Sequence, residues 1–598
     1  MGIILAKYSD DFMDWIREAG FTHCFFVAGG NAMHLIESAS SRFKCTPFIN
    51  EIGAGVAAES FNEICPREER AFVLVTAGPG LTNLTTAVAS AWVDRRELLV
   101  IGGQAKSVNL SRGTVRQVGF QEIDGVGILT PITKRAVLVD HQIGRYELMS
   151  HINEGKKSPK GPVFIEVCLD ISMQETEQTI IEPRQILDSD PQPVNLPKDA
   201  LELVCAQLKE SKRPLILIGG EIERYSSADF VESLEKIGIP IATTFNGADR
   251  VGGGYKYYSG RPNWYGSRWA NLIIQQADYV LSLGARLGLM ETGYNWEEFV
   301  PRGKITQIEL DAQELAKGHP NVNTKIQADS NQFLKLLSEE ISKGFELNIS
   351  EWQNQVITIK ENLEKPDSAN VAKSGYVEFA KFIFDVTSML DSSDNINPCS
   401  SGGNFEAFGK VMVNKLGQKW VTSPGLASMG FGVSGGIGMA LAFPEKRTIV
   451  FEGDGGLAQN LQEFGVVRSN NLKLKVFIAD NGNYGSIKAH QKSAFNNHYI
   501  GCDKSTGLWL PNWKFIGEAF DIPVHEIVSN NFMTAEFDSH FNSEGPAIFV
   551  IKVDPDQVLY PKIASTRNSA GEVVSNPLHR MEPALSESEY EKYCPHLD

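Results

Sequence analysis

The chain has 598 residues, room for three or four domains, and 42% apolar with 22% charged residues is the balance of a soluble globular protein. Its formal net charge of −17 argues against a general nucleic-acid binder, which needs a basic face. Eight scattered cysteines without C-x-x-C spacing argue against a zinc site or a disulfide framework and fit a reducing compartment.

The first stretch, MGIILAKYSDDFMDWIREAG, has a short apolar run followed at once by acids, which is no signal peptide. Ala6 breaks the myristoylation pattern, and no run of apolar residues is long enough to span a membrane. A cytoplasmic protein with no membrane and no nucleic-acid partner is expected. Short apolar runs then alternate with amphipathic stretches: AFVLVTA and ELLVIGG in residues 1–172, RPLILIGG and YVLSLGA in 195–345, RTIVFEG and KVFIADN in 370–560. Several are continuous rather than alternating, as in strands covered on both faces of a parallel sheet. The fold class expected is α/β, with three doubly wound parallel-sheet domains and a C-terminal tail over 561–598. Polar linkers are expected around 174–200 and 345–372. Residues 73–103 and 449–481 both read strand, glycine turn, helix, strand, a weak internal repeat.

Two stretches match the dinucleotide fingerprint in letters only. GAGVAA (53–58) lacks an acid at the end of the next strand, and GFGVSG (430–435) has no strand before it. Close helix packing is the better reading of both.

The chemistry gathers at FEGDGGLAQN (451–460) and ADNGNYG (479–485). Asp454 ends one strand and Asn481 the next, so in a parallel sheet both side chains emerge at the edge where ligands bind. Their oxygen donors suit magnesium or calcium rather than zinc. Gly453, Gly455 and Gly456 would let backbone amides approach a diphosphate. Either segment alone reads as a turn; together their spacing marks a metal-diphosphate site.

This run resembles the thiamine-diphosphate-binding signature. The resemblance implies that Asp454, the Asn481 side chain and the Asn483 carbonyl hold Mg2+, with Tyr484 beside the cofactor. It also requires an upstream glutamate against the pyrimidine ring, and PFINEIGAGVAAES supplies Glu51. Over nearly the whole chain, segments such as 78–104, 119–134 and 423–444 are similar to the acetolactate synthase large subunit. That similarity names the domains pyrimidine-binding, central and diphosphate-binding. It places Gln104, Phe120 and Gln121 near the reacting centre. It makes Met429 the wedge that bends the cofactor and the Ala427 carbonyl a hydrogen-bond acceptor for it. It also implies FAD in the central domain, against Gly219, Gly220, Thr244, Arg286 and Asp311.

Three departures stand out. His490 replaces a channel tryptophan, Leu169 replaces a lysine, and RLGLMETG keeps only Arg286 of a longer charged motif. His490 reads equally as a substrate ligand or as polar channel lining. The resemblance extends to acetolactate-synthase-like carboligases of bacterial polysaccharide and branched-sugar clusters. It implies decarboxylation of a 2-oxo acid such as pyruvate, and transfer of the acyl unit to a second carbonyl, a nucleotide-linked keto sugar among the candidates. A simple decarboxylase, a C–C hydrolase and a non-catalytic subunit are the alternatives. The family implies a homodimer or homotetramer with the active site between chains.

Overall fold

A computed structural model describes residues 7–66, 68–177, 196–197, 199–567, 571 and 573–597. The expected three doubly wound parallel-sheet domains are present. The first sheet holds β1 (His23–Phe26), β2 (Lys44–Pro47), β3 (Ala71–Val75), β4 (Leu98–Gln104), β5 (Arg135–Val139) and β6 (Pro162–Cys168), in the order β2-β1-β3-β4-β6-β5. β3, β4 and β6 are buried at every position, which is why their sequences are continuous apolar runs. The second sheet holds β7 (Pro214–Ile218), β8 (Ile241–Thr243), β9 (Tyr279–Leu283), β10 (Lys304–Glu309) and β11 (Thr324–Gln327), ordered β11-β10-β9-β7-β8.

The third sheet holds β12 (Asn395–Asn397), β13 (Lys419–Trp420), β14 (Thr448–Gly453), β15 (Leu474–Asp480), β16 (Val524–Ile527) and β17 (Ala547–Lys552), ordered β13-β12-β14-β15-β17-β16. Counted from its own first strand, this is the order of the first sheet. The weak likeness between 73–103 and 449–481 is thus a shared topology, with β3 and β4 answering to β14 and β15.

The glycine-rich fingerprints are helix contacts. GAGVAA lies in the helix Glu51–Ile64 and GFGVSG leads into the helix Phe431–Ala442. These two helices pack directly on each other. A Cβ on Gly438 would stand 2.0 Å from the Ala57 carbonyl oxygen, and one on Gly435 would stand 3.0 Å from Ser60 Oγ. One apolar core therefore runs from the first sheet into the third, through Phe61, Leu84, Val433, Ile437 and Val450.

Two expected boundaries change. The first linker falls largely outside the described residues. The second contains the helix Ser350–Leu363, whose Trp352 is buried and donates its indole N–H to the Pro214 carbonyl at 3.0 Å, so it belongs to the central domain. The C-terminal segment is likewise no free tail. Ile563, Leu578, Met581, Tyr593 and Cys594 complete the core of the central domain. Gln276 donates to the Tyr593 carbonyl at 2.8 Å and Arg268 to that of Pro583 at 2.6 Å.

Gly438→Ala tests the helix contact. Overpacking against backbone costs about 1–3 kcal/mol, so the midpoint of the transition of a domain of this size should fall by roughly 2–7 °C. Gly254→Ala, where a Cβ meets nothing within 4 Å, should leave it within about 1 °C.

Candidate active site

β14 ends on Gly453 and the chain turns at once into a short helix, Asp454–Leu457. The Asp454 carboxylate is buried and accepts three backbone N–H groups: Gly455 at 2.7 Å, Asn481 at 3.1 Å and Gly482 at 2.6 Å. It thereby ties the end of β14 to the end of β15. Asn481 Oδ1 accepts the Asn483 N–H at 3.0 Å, and Asn483 Nδ2 donates to the carbonyls of Asn481 and Pro555. Asn483 Oδ1 is buried and has no hydrogen-bond partner.

Each glycine of the motif has a separate reason. The place of a Gly453 side chain is open space, whereas a Cβ on Gly455 would strike the Tyr484 ring at 2.4 Å. One on Gly456 would lie 2.7 Å from Glu452 Oε1. Glu452 is fully buried, and desolvation pushes it up to about 8 against backbone hydrogen bonds from Gly432 and Val433 at the start of the helix Phe431–Ala442. The oxygen donor set, the orphaned Asn483 oxygen and the space at Gly453 fit a magnesium ion carrying a diphosphate.

Burial first, and the neighbouring Asp480 second, push Asp454 up to about 8. Asp480 is raised as well, mainly by desolvation. A buried carboxylate beside a half-buried one makes ionisation of both costly, which favours a proton shared by the pair when no cation is bound.

Glu51 opens its helix just after β2, behind Asn50, whose Oδ1 accepts the Ile52 N–H at 2.9 Å. Glu51 is buried, and its Oε2 accepts from Asn83 Nδ2 at 3.0 Å. The third domain fixes the residues before it: Glu463 accepts the N–H groups of Ile49 at 3.4 Å and Asn50 at 2.9 Å. Burial raises Glu463 to about 7, with the charge of Glu51 adding a smaller push. Asn83, Glu463 and Glu452 escape the sequence reading because each lies in an ordinary helical or strand pattern.

The substrate-side residues sit on irregular backbone. Gln121 has φ +61° and Ala427 φ +55°, left-handed values that non-glycine residues hold only under constraint, commonly at ligand sites. Gly78, itself at φ +63°, lets the Gln121 carbonyl come close, since a Cβ there would stand 2.7 Å from it. Phe120 is 82% exposed, with its carbonyl held by Asn31 Nδ2 at 3.2 Å. Glu122 clasps this loop: despite burial, backbone N–H groups of Val118, Ser111 and Gly119 hold it near about 2. Gln104 lies behind the loop, its amide spent on the Ile123 carbonyl at 2.9 Å and the Ala105 N–H at 2.8 Å. Met429 is partly exposed, 3.7 Å through sulfur from Gln459 Nε2. His490 is exposed on the helix Gly485–Ala494, its ring 6.3 Å from that of Phe495.

A cavity of about 860 Å3 opens between the first and central domains, with Gly220, Thr244 and Arg286 in its wall. Gly219 stands behind it, where a Cβ would fall 2.0 Å from the Gly284 carbonyl. Asp311 is committed: it caps Gln313 N–H at 2.8 Å and pairs with Arg95 at 3.2 Å. Glu309, at the end of β10, lies buried outside the cavity wall: one oxygen accepts from Arg95 at 3.0 Å and from the Asp311 N–H at 2.9 Å, and the other has no partner. Arg286 donates to the Val93 carbonyl and lies 3.7 Å from Asp94. The volume and the glycine backbone fit a dinucleotide.

Two sheets of one topology, one with a buried glutamate at its strand ends and one with Asp454 and Asn481 at its own, have the arrangement that an enzyme holding a diphosphate cofactor needs. Family models give the same division. The thiamine pyrophosphate enzyme N-terminal TPP-binding domain matches residues 6–128, the central domain 201–337 and the C-terminal TPP-binding domain 402–551. The chain belongs to this thiamine pyrophosphate enzyme family. It is 24% identical to the acetolactate synthase large subunit of Porphyra purpurea over 580 residues, covering 93% of this chain and 94% of that one. It is 27% identical to the isozyme 1 large subunit of Escherichia coli K12, over 92% of this chain and 94% of that one. With the isozyme 2 large subunit of the same organism the identity is 25%, over 92% and 96%.

Metal ligation needs an ionised carboxylate. Binding of magnesium and thiamine diphosphate near pH 7 should therefore release about one proton from the Asp454–Asp480 pair, and the release should fade as pH rises above about 8. Calorimetry in buffers of different ionisation enthalpy measures it. Asp480→Asn should reduce the release by at least about half.

Proposed function

We propose that the chain is a thiamine-diphosphate-dependent carboligase. It removes carbon dioxide from a 2-oxo acid, pyruvate by preference, and joins the remaining acyl unit to a second carbonyl. The observation that carries this reading is the intact set of Glu51, Asp454 and Asn481 at equivalent edges of the two matched sheets. The acetolactate synthase names of its full-length relatives support the ligation step.

The residues divide the work. Asp454, the Asn481 side chain and the Asn483 carbonyl hold Mg2+, and the open backbone at Gly453 admits the diphosphate. Glu51 shares a proton with the pyrimidine ring, oriented by Asn83 and by the Glu463 clasp on the residues before it. Ala427 offers its carbonyl to the cofactor amino group and Met429 bends the cofactor. The bound cofactor supplies the electron sink for decarboxylation and the acyl-anion equivalent for transfer. Phe120, Gln121 and His490 face the reacting carbonyls, and Gln104 braces the loop that presents the first two.

In a single chain Ile49 is 55%, Phe120 82% and Met33 53% exposed. So much apolar surface beside Glu51 supports a homodimer or homotetramer that completes the site between chains. The interdomain cavity is read as a flavin dinucleotide site, with Gly220, Thr244 and Arg286 along the chain. No chemical step is assigned to it. Replacement of tryptophan by His490 and of lysine by Leu169 supports an acceptor other than a second pyruvate, with a keto sugar the favoured class.

Carbon-13 pyruvate, supplied alone and then with ketone acceptors, should yield labelled ligation products. Acetaldehyde as the sole product would make the chain a simple decarboxylase. Glu51→Gln should cut turnover by at least about 100-fold while cofactor binding stays within a few-fold, because a proton-sharing group contributes about 10²–10⁴. The purified protein should also show flavin absorption.

A further inference from the structure

The cysteine pattern argues against zinc, yet the third domain carries a different kind of site. His525 lies on β16, the edge strand of the third sheet, on the side that faces inward, and it is 9% exposed. The helix Ala535–Phe541 covers that side. Its residues Glu536 and His540 are four positions apart and so share one face of the helix. One ligand atom from each of His525, Glu536 and His540 lies within 4.8 Å of the others.

Two further observations turn this proximity into a built site. His540 Nδ1 is buried and has no hydrogen-bond partner, which is costly unless something else meets it. His525 forms no close hydrogen bond among the described residues: its Nδ1 reaches only to Glu536 Oε2, at 3.7 Å. The surroundings are rigid. The His525 ring stands 6.0 Å from those of Phe537 and Phe549 and 5.9 Å from that of His540. Beyond His540, Ser543 Oγ donates to the His540 carbonyl at 2.8 Å and accepts from buried Lys475 Nζ at 2.7 Å. Glu536, by contrast, has a side chain 69% exposed.

We propose that His525, Glu536 and His540 bind a zinc ion that staples the edge strand β16 to the helix covering it. Two imidazoles and one carboxylate are the donors of a borderline cation, unlike the oxygen donors around Asp454. Bonds of about 2.0–2.1 Å in a tetrahedron place ligand atoms roughly 3.3 Å apart. The three ligand atoms, within 4.8 Å of one another, need close only by about 1.5 Å or less to meet that spacing, and Glu536 is exposed enough to swing in. Water takes the fourth position on the solvent side. β16 pairs on one side only, with β17, so a metal here fixes the cover over an otherwise open sheet edge.

The test uses the full-length protein stripped with a chelator and titrated with Co2+ and then Zn2+, with magnesium and thiamine diphosphate present. One equivalent of Co2+ should give the visible bands of a four-coordinate site, and zinc should displace it and raise the thermal midpoint. His540→Gln should weaken binding by more than about 100-fold, since even partners behind a ligand cost 10–100-fold. Glu536→Gln, a change at an exposed side chain, should weaken it by about 10-fold or more. Both variants should bind magnesium and thiamine diphosphate as the parent does, which separates this site from the one at Asp454. The absence of stoichiometric Co2+ binding, or binding unchanged in His540→Gln and Glu536→Gln, would overturn the proposal.

Discussion

The absence of a side chain at Gly438 governs the relation between the two cofactor-binding domains. It lets the helix Phe431–Ala442 settle onto the helix Glu51–Ile64 until the position of a Cβ coincides with the Ala57 carbonyl. Glu51 opens one of these helices, and Glu452 caps the start of the other just ahead of Asp454. A change in the helix spacing would shift the Glu51 end of the first domain against the Asp454 edge of the third. Gly53 has the same role one layer up, where a Cβ would stand 2.7 Å from the Glu463 carboxyl carbon that holds the residues before Glu51.

Buried carboxyl groups are unusually frequent around this contact. Glu452, Glu463 and Asp454 are all raised, each chiefly by desolvation. A raised value favours the neutral acid, which lessens the repulsion between such groups.

Much of this was legible in the sequence. Continuous apolar runs gave the parallel sheets, and the strand-end positions of Asp454 and Asn481, on one edge of the third sheet, followed from the pattern of strand and helix between them. The dismissal of GAGVAA and GFGVSG as nucleotide fingerprints also agrees with the structure, where both are helix-packing glycines. What stayed hidden depends on contacts distant in the chain. Glu463 meets the backbone of Ile49 and Asn50, and nothing local in LQEFG announces it. Asp311 and Glu309 look alike in IELD, and only the folded chain shows that both are drawn onto Arg95, a residue of the first domain more than 200 positions upstream. The His525, Glu536 and His540 cluster joins a strand to a helix, so no short spacing marks it.

The central domain does not own all of its core. Its five strands end at Gln327, yet Ile563, Leu578, Met581 and Tyr593 are needed to cover it. During synthesis those strands leave the ribosome long before the residues that seal them. The middle of the chain must therefore wait, with apolar surface open, while the entire third domain is made. The third domain has its own nucleus at β14 and β15 and can fold in that interval. The order of maturation is thus not the order of translation: the middle closes last, and a nascent chain stalled before residue 563 would present a sticky central domain to any chaperone or neighbour.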